Sequence, residues 1–298
     1  MARLHDRDYF YKLMAADTAK AVLKCSCLRW REPRQFNDPF DHQVSFVFPY
    51  TKQEFSEALF KAVERLVYEE EPKFVEETLL AKMILMLRGI RDRAPREKIQ
   101  ATLASGLAET EKQIDQYRAN MNSLITVDLN QSRVLCVTEQ NDNVVMWSHY
   151  ADSHKGVCLR LQCIPEIDNT LLAARKVEYT TEFPLFPTLD EHVRYYIGEA
   201  PIDFAKLLYK IPFMKHQNWS YEREWRVHVP HLADATGKGY NDWKENPRVF
   251  GAMYLGCRIE PVDAVELVGV AKLKYPHMEI YQAKASTNKF ALEFKKVT

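Results

Sequence analysis

The chain has 298 residues, of which 46% are hydrophobic and 28% charged, and its 41 basic side chains balance 41 acidic ones. This length and apolar content allow a sizeable core, whereas the zero net charge excludes a molecule-wide basic field and leaves only a local patch for nucleic acid. The six cysteines do not form the framework of a small disulfide-rich domain, and no stretch approaches the length of a membrane-spanning helix. These features predict a cytoplasmic protein with no membrane partner.

The common fingerprint motifs of nucleotide-binding and hydrolytic enzymes are absent. Glycine occurs nine times, and neither G-x-G-x-x-G nor G-x-x-x-x-G-K-[ST] is present, which excludes the usual glycine-rich phosphate loops. H-E-x-x-H and G-x-S-x-G are also missing, so the metalloprotease and α/β-hydrolase signatures are excluded. No single short motif assigns a function.

Two short strands with a helix between them are predicted near the N-terminus. Residues 8–13 are rich in aromatic side chains, residues 19–24 suit a helix, and residues 25–30 suit a second strand. Lys12 and Arg29 lie on these two strands.

A compact polar turn is predicted at residues 35–41. Asn37 and Asp38 can offer side-chain oxygens to nearby backbone N–H groups, and Pro39 keeps Asp38 out of the helical region. This pattern favours a structural Asx-type turn. The alternative is that Asp38 and Asp41 face a ligand pocket.

The hydrophobic pattern of the sequence becomes helical over residues 51–126. Apolar residues such as Phe55 and Leu59 recur at helical spacing, and Pro95 introduces a long polar segment. We predict three helices, inserted as a block into a single α+β domain that spans residues 1–298. The block is interpreted as a lid, as packing, or as an oligomerisation arm that would make the protein a homo-oligomer.

An aromatic helix meets a strand within residues 146–161. Trp147, His149 and Tyr150 precede a polar turn, and after Gly156 the pattern alternates as it does in a strand. Such joins place polar side chains at the mouth of a sheet on a rigid scaffold. The structural alternative is that the aromatic residues anchor the core and that the histidine only helps to end the helix.

The other predicted elements are interspersed without a regular βαβ alternation. Strands are predicted at residues 132–139, 176–180, 222–229 and 249–256 and in a terminal pair. Helices are predicted at residues 165–174, at residues 188–210 with a break at Pro201, and at residues 261–274. This arrangement favours an α+β fold over a doubly wound sheet. We expect a mixed, largely antiparallel central sheet flanked by helices, with the inserted helical block.

Acidic and basic side chains cluster at residues 219–226. On a strand, Glu222, Glu224 and Arg226 would share one face. One interpretation is an exposed ion pair that contributes little to stability. The other is that one glutamate contacts a ligand hydroxyl or acts as a base, while its neighbours set its pKa.

A metal site could in principle combine these glutamates with His149 and His154. The spacing of the two histidines does not place them on one face of a helix, however, and no tight ligand motif occurs. The sequence therefore predicts no metal site.

Three motifs occur in a specific order: FNDPFD at residues 36–41, MWSHYADSHKG within residues 134–161, and YEREWR at residues 221–226. Together they resemble the bacterial domain-of-unknown-function family twenty-nine seventy-one, and the likeness covers nearly the whole chain except the helical block. The start YFYKLM departs from the family's Tyr-Lys-Tyr-Arg type of opening, so Lys12 matches less securely. The resemblance implies no established activity.

The order of the elements is more distantly similar to that of ADP-ribosyltransferase-like folds. In such folds a glutamate on a late strand contacts the nicotinamide ribose and stabilises an oxocarbenium-like transition state, where a fixed carboxylate gains most. The resemblance implies that Glu224 or Glu222 is that glutamate. The early His or Arg motif and the Ser-Thr-Ser strand of that superfamily are missing here.

The same resemblance assigns roles to residues from the early strands and the aromatic helix. It implies that Tyr150 or Trp147 stacks on nicotinamide. It also implies that Lys12 or Arg29 contacts a phosphate group.

Three functional hypotheses follow. The first is an enzyme that transfers ADP-ribose from NAD or cleaves NAD, in conflict between bacteria and phage. The second is a hydrolase or nuclease that uses the two histidines with the two glutamates, and the third is a non-enzymatic module that binds a partner through residues 51–126. For an enzyme acting on a small-molecule or nucleotide ligand, the expected catalytic residues are Glu224, Glu222 and His149, and the expected binding residues are Tyr150, Trp147, Lys12, Arg29, Asn37, Asp38 and Arg226.

Overall fold

The computed structural model describes residues 3–42, 45–167, 169–230, 232 and 237–297. Two compact units are present. One, here called the sheet unit, comprises Met1–Gln43, Asp128–Thr181 and Pro212–Thr298, and the other, the helical unit, comprises Val44–Val127 and Glu182–Ile211. The prediction of one domain with an inserted block at residues 51–126 stays a prediction.

Strands and helices are mixed along the chain, which confirms the predicted α+β class. In chain order they are β1 (Tyr9–Met14), α1 (Ala16–Cys25), β2 (Cys27–Arg31), α2 (Lys52–Tyr68), α3 (Leu79–Ile90), α4 (Arg96–Asn130), β3 (Arg133–Thr138), α5 (Val144–Tyr150), β4 (Val157–Gln162), β5 (Arg175–Lys176), β6 (Glu178–Thr180), α6 (Leu189–Ile197), α7 (Phe204–Lys210), β7 (Met214–His216), β8 (Glu224–Val229), β9 (Tyr240–Lys244), β10 (Phe250–Leu255), α8 (Pro261–Lys274), β11 (Glu279–Ala285) and β12 (Leu292–Lys296).

Ten strands form the main sheet. Eight of them lie in the order β12-β11-β10-β4-β1-β3-β2-β9, with β8 beside β3 and β5 beside β8, while β6 and β7 form a separate pair. The pairs of the main sheet are antiparallel except β10 with β11. The mixed, largely antiparallel sheet expected from the sequence is therefore confirmed.

Strand β3 has an unusual set of neighbours. One edge pairs with β8 along the whole strand, from Arg133↔Val229 to Thr138↔Glu224. The other edge is shared, because β1 pairs with it only at Thr138 and β2 only at Val134. The middle of that edge, around Cys136, thus faces an opening in the sheet rather than another strand.

The core of the sheet unit lies between one face of the sheet and the helices α1 and α8. Helix α1 buries Ala19, Val22 and Leu23 on one side, as its helical spacing of apolar residues requires. A smaller cluster on α5, β1 and β10 includes Trp147 and Tyr254. Both clusters make the strands around the opening a rigid frame.

The helical unit contains the three helices predicted within residues 51–126. Helix α2 starts at a capping box in which Thr51 and Glu54 satisfy each other's backbone N–H groups. It buries Phe55, Leu59 and Val63 in one stripe. Helix α4 runs beyond the predicted block, through Asn130.

Several predicted element boundaries are wrong for identifiable reasons. The strand expected at residues 222–229 begins at Glu224, because Gln217–Glu222 forms a 3₁₀ helix that ends in the left-handed Arg223. The helical stretch expected at residues 188–210 is broken as expected, but the break begins at the left-handed Gly198, where α6 ends, rather than at Pro201. The helix expected at residues 165–174 is two short 3₁₀ turns.

Within the part of the chain that the structure describes, no helix combines the length and the apolar character needed to cross a membrane.

Candidate functional site

A cleft of about 520 Å³ occupies the opening in the sheet unit. Its lining comes from β1, α1, β2, the turn after β2, β3, α5 and the segment around β7 and β8. Residues two apart on a strand present their backbone groups to the same edge, so Cys136 faces the gap between the pairings at Val134 and Thr138. Lys12 spans this gap, and its Nζ donates to the carbonyl oxygen of Cys136 at 2.7 Å.

The floor of the cleft rests on a buried ion network centred on Arg226. The Arg226 guanidinium is fully buried and donates to both oxygens of Glu224, from Nε to Oε1 at 2.8 Å and from Nη2 to Oε2 at 3.0 Å. It also grips Asp41 with two bonds, at 2.9 and 2.6 Å, and donates to the carbonyl oxygen of Pro212 at 2.8 Å. Such bidentate pairing fixes the positions of both carboxylates.

A second cation, Lys215, connects this network to Glu222. Its Nζ donates to Oε2 of Glu222 at 2.5 Å and to Oε2 of Glu224 at 2.9 Å. It also lies 4.9 Å from the ring centroid of Trp219. Although burial opposes its charge, the two glutamates raise the pKa of Lys215, so it stays protonated.

Glu222 reaches the cleft from a turn rather than from a strand. The left-handed backbone of Arg223, with φ of 45°, reverses the chain between Glu222 and β8. Thr138 Oγ1 donates to the backbone carbonyl oxygen of Glu222 at 2.6 Å, and Tyr150 donates from its hydroxyl to Glu222 Oε1 at 2.5 Å. Each carboxylate oxygen of Glu222 thus has one hydrogen bond, and lone pairs remain for a ligand.

The two glutamates have opposite pKa shifts. Burial raises the pKa of Glu222 even though Lys215 counteracts it. For Glu224, burial acts in the same direction, but Arg226 and Lys215 outweigh it and lower the pKa to about 2. Neighbouring carboxylates whose environments separate their pKa values are typical of acid–base sites.

Helix α5 brings His149 and Tyr150 to the cleft. Asn143 caps its start by accepting from the backbone N–H groups of Val145 and Met146. The hydroxyl of Tyr150 bonds Glu222, while His149 Nδ1 lies 3.4 Å from the Tyr221 hydroxyl.

An unusual turn follows α5. Asp152, Ser153 and His154 have φ values of 45°, 53° and 68°, a left-handed run that costs roughly 1–2 kcal/mol per residue. Backbone bonds offset the cost, including one from the His154 N–H to the Trp147 carbonyl at 3.2 Å. A Cβ at Gly156 would lie 2.2 Å from the Met14 carbonyl oxygen, so glycine lets this turn pack against the end of β1.

Three cationic side chains line the cleft in addition to Lys215. Lys12 bonds Cys136, and Arg29 is held by two bonds to Asp242, at 2.8 and 2.9 Å, over the ring of Tyr240. Arg31 lies on the same face of β2 and is exposed, and its side chain has no hydrogen bond or ion pair to any residue within the described ranges. Burial and the nearby Arg31 charge act together to lower the pKa of Lys12, although Cys136 opposes them.

The structure brings most of the expected site residues to one cleft. Lys12, Arg29, Asn37, His149, Tyr150, Glu222 and Glu224 all line it. The Asn37 side chain acts on the Tyr150 hydroxyl and opposes the rise in its pKa that burial and Glu222 cause.

Three expected site residues do not line the cleft. Trp147 is fully buried and donates from its indole to the carbonyl oxygen of Asn141, so its ring offers no free face to a ligand. Asp38 accepts from the Phe40 N–H at 2.9 Å, which is the Asx-type turn of the structural interpretation. Arg226 lies beneath the floor and acts only through the carboxylates that it binds.

Sequence reasoning missed Lys215 and Arg31, whereas Asp41, considered as a pocket residue, does line the cleft. The need for a second cation such as Lys215 follows from the burial of two glutamates beside one arginine, which only the structure shows. Arg31 lies two residues after Arg29, on the same face of a strand whose other face is apolar. The expectation that Arg29 contacts a phosphate group therefore applies to Arg31 as well. The contact between Asp41 and Arg226 spans 185 positions, and no local pattern indicates such a pair.

Among the described residues, no group of three or more His, Cys, Asp or Glu side chains has the arrangement that holds a metal ion. His154 is separate from the glutamates: its Nε2 lies 3.2 Å from the Ser148 hydroxyl, and its ring stacks on Trp147.

Comparison with known proteins gives one positive result. Residues 146–227 match the family model described as Protein of unknown function (DUF2971). No curated protein and no solved structure matches the chain. The match includes the second and third motifs of the sequence, MWSHYADSHKG and YEREWR, which position Tyr150, Glu222 and Glu224. Over residues 146–227 the match supports the family predicted from those motifs, for which no function is described.

Proposed function

We propose that the cleft binds an anionic, nucleotide-class ligand and that the protein is an enzyme that breaks or transfers the glycosidic bond of NAD. The observation that carries this proposal is the convergence of two kinds of side chain in one cleft. Glu222, held by Tyr150 and Lys215, lies in the same cavity as the cations Lys12 and Arg31. A sugar that carries phosphate groups needs a carboxylate to accept from its hydroxyls and cations to bind its phosphates.

Glu222, rather than Glu224, is the carboxylate that acts on the ligand. Glu224 receives two bonds from Arg226 and one from Lys215, so its oxygens are occupied by cations. Glu222 receives only one bond on each oxygen. It can therefore accept a further bond from a ribose hydroxyl while Glu224 fixes Lys215 in place.

The proposed reaction places negative charge where positive charge develops. The bond between the ribose C1 and the nicotinamide nitrogen breaks, and its electron pair leaves with nicotinamide. The ribose becomes oxocarbenium-like and is attacked by water or by an acceptor group, which loses a proton. A carboxylate that is already fixed by its neighbours stabilises this charge without reorganising.

The cationic side of the cleft accounts for the phosphate groups. Arg31 is uncommitted, whereas Arg29 is neutralised by Asp242, so Arg31 and Lys12 are the stronger candidates for phosphate contact. Guanidinium groups bind phosphate through paired hydrogen bonds. Tyr150 and His149, at 6.2 Å between ring centroids, supply aromatic surface beside Glu222.

The test is release of nicotinamide from labelled NAD, with and without protein acceptors. We expect turnover by the wild type and a loss of at least about 100-fold in Glu222→Gln, as for removal of a group that acts in the transition state. Glu245→Gln is the matched control, because Glu245 is also a buried glutamate with a raised pKa but does not line the cleft. The proposal is overturned if the wild type shows no turnover and no saturable binding of NAD.

Fewer observations support the other two hypotheses, a hydrolase or nuclease and a non-enzymatic binding module. A hydrolase or nuclease that combines His149 and His154 needs both at the ligand, and only His149 lines the cleft. A partner or a second copy bound through residues 51–126 has support only from exposed apolar side chains, such as Leu79 and Met86 on α3 and Leu124 on α4. A role in conflict between bacteria and phage stays a prediction.

A further inference from the structure

The helical unit contains a second cavity, here called the helical cavity, of about 340 Å³. It is lined by Phe55, Gln113, Ile114, Gln116, Tyr117, Asn120, His192 and Tyr196. No Asp, Glu, Lys or Arg occurs in that lining. Its volume is at the lower end of the range for small-molecule sites.

Aromatic rings form its walls. The rings of Tyr117 and His192 are nearly parallel, at 20° and 5.9 Å between centroids, while Phe55 packs on His192 at 4.5 Å. The ring of Tyr196 stands edge-on to Phe55 at 5.6 Å. Flat π surfaces of this kind accept another flat ring by stacking.

His192, which lines this cavity, has a buried polar atom without a partner among the described residues. The residue is fully buried, and its Nδ1 bonds the Tyr50 hydroxyl at 2.6 Å. Its Nε2 has no hydrogen-bond partner among the described residues. Burial, with the Arg118 charge, lowers the pKa of His192 to about 4, so the ring is neutral at pH 7 and Nε2 can form one hydrogen bond. Buried polar atoms without a partner usually mark a group that the bare chain lacks.

Three amides on α4 form the rim. Gln113, Gln116 and Asn120 follow the helical spacing that places side chains on one face. Gln116 donates to Asn120 Oδ1 at 2.7 Å, which leaves the Gln116 oxygen and the Asn120 nitrogen as a neighbouring acceptor and donor. An amide acceptor and donor side by side match the hydrogen-bonding edge of a nucleobase.

From these features we infer that the helical cavity is a binding site for a neutral, flat heteroaromatic ligand of the nucleobase class. The uncharged lining disfavours a phosphate or carboxylate, because a buried anion needs a paired cation. The aromatic walls favour a ring over an aliphatic chain. Neutral His192 and the amides select a ring that carries both donors and acceptors.

The experiment measures adenine binding to the full chain by calorimetry. We expect saturable binding that Tyr117→Leu weakens by about tenfold, since stacking on one aromatic ring contributes a factor of this order. Asn120→Ala, an exposed change that spares the core, should weaken binding less. Glu222→Gln should leave it unchanged, because Glu222 lines the cleft of the sheet unit and not the helical cavity.

Circular dichroism shows whether each variant is folded, and if Tyr117→Leu fails to fold, Asn120→Ala decides. Three outcomes would overturn the inference: no adenine binding by the wild type, unchanged affinity in the folded cavity variants, or loss of binding in Glu222→Gln. The last would place adenine in the cleft. Nicotinamide release does not enter this measurement, so it fails or succeeds independently of the proposed NAD chemistry.

Discussion

The cleft of the sheet unit and the helical cavity are built from opposite chemistries. The cleft is floored by Arg226, Lys215, Glu224 and Asp41, whose charges hold one another in place. The helical cavity has an uncharged lining and owes its shape to packed rings and one neutral histidine. Charges in the cleft are preorganised for a charged ligand but depend on every partner being present. The helical cavity is less specific and depends more on its aromatic packing.

The largest effect is expected from removing Arg226, the central cation of the cleft, which tests whether the buried charges there depend on one another. Arg226→Met keeps much of the side-chain volume but leaves Asp41 and Glu224 buried without their main partner. We expect a loss of about 3–5 kcal/mol in the free energy of unfolding, as for breaking a buried ion pair. Urea denaturation at pH 7 measures it.

Arg29→Met is the matched control for that experiment. Arg29 also forms a bidentate pair, with Asp242, but both side chains are about 40% exposed, at 38% and 42%. A pair in contact with solvent contributes about 0–1 kcal/mol. Equal losses in the two variants would show that burial does not govern the network.

A smaller effect is expected from pH in the helical unit. The pKa of His192 falls from 6.5 to about 4 on folding, so below pH 6.5 the unfolded chain binds a proton that the folded chain does not. Stability of this unit is therefore complete above pH 6.5 and is lost as pH falls towards 4, by up to about 3 kcal/mol. Hydrogen exchange of the backbone amides in α2 and α6 measures this loss of stability.

His192→Gln is the control for the pH experiment. Glutamine does not titrate in this range and can still bond the Tyr50 hydroxyl. The variant should lose the decline between pH 6.5 and 4 in this unit. An unchanged decline would assign it to other groups.

The smallest expected effect sharpens the description of Glu222. The Tyr150 hydroxyl lowers the pKa of Glu222 by donating to its carboxylate, while burial raises it. Tyr150→Phe should therefore raise that pKa further, and the cost in stability should be about 1–3 kcal/mol. A ¹³C NMR titration of the carboxyl group measures the shift.

Tyr221→Phe serves as the comparison for this variant. The Tyr221 hydroxyl lies near His149 and forms no hydrogen bond with the Glu222 side chain. Its removal should leave the titration of Glu222 nearly unchanged. A larger shift in Tyr221→Phe than in Tyr150→Phe would contradict the assigned hydrogen bonds.

Local patterns were sufficient to predict much of the fold. The helix at residues 261–274 has the predicted bounds, because Pro261 suits the first turn of a helix and no further proline interrupts the segment. Asn143 caps α5 by accepting from two backbone N–H groups of its first turn, which is a local interaction. The boundary at Glu224 was missed, since the left-handed conformation of Arg223 depends on tertiary contacts and not on glycine or asparagine.

The site was predictable in composition but not in its internal arrangement. Tyr150 and Glu222 could be assigned to one site from their polar, aromatic surroundings. That Glu224 is neutralised while Glu222 is left with free lone pairs depends on Asp41 and Lys215, and nothing local in the sequence reveals those partners. Long-range pairing, rather than local propensity, therefore decides which glutamate can act.

Lys12 has a consequence beyond ligand binding. An unpaired strand edge is a template to which another chain can add a strand, and proteins commonly protect such edges with lysine. The unpaired edge of β3 at Cys136 is an edge of this kind inside a sheet. The Lys12 ammonium donates a hydrogen bond to the Cys136 carbonyl oxygen there. Lys12 would thus protect the newly made chain from aggregation while keeping the gap open, so replacing it with an apolar residue should lower soluble yield even where catalysis is not measured.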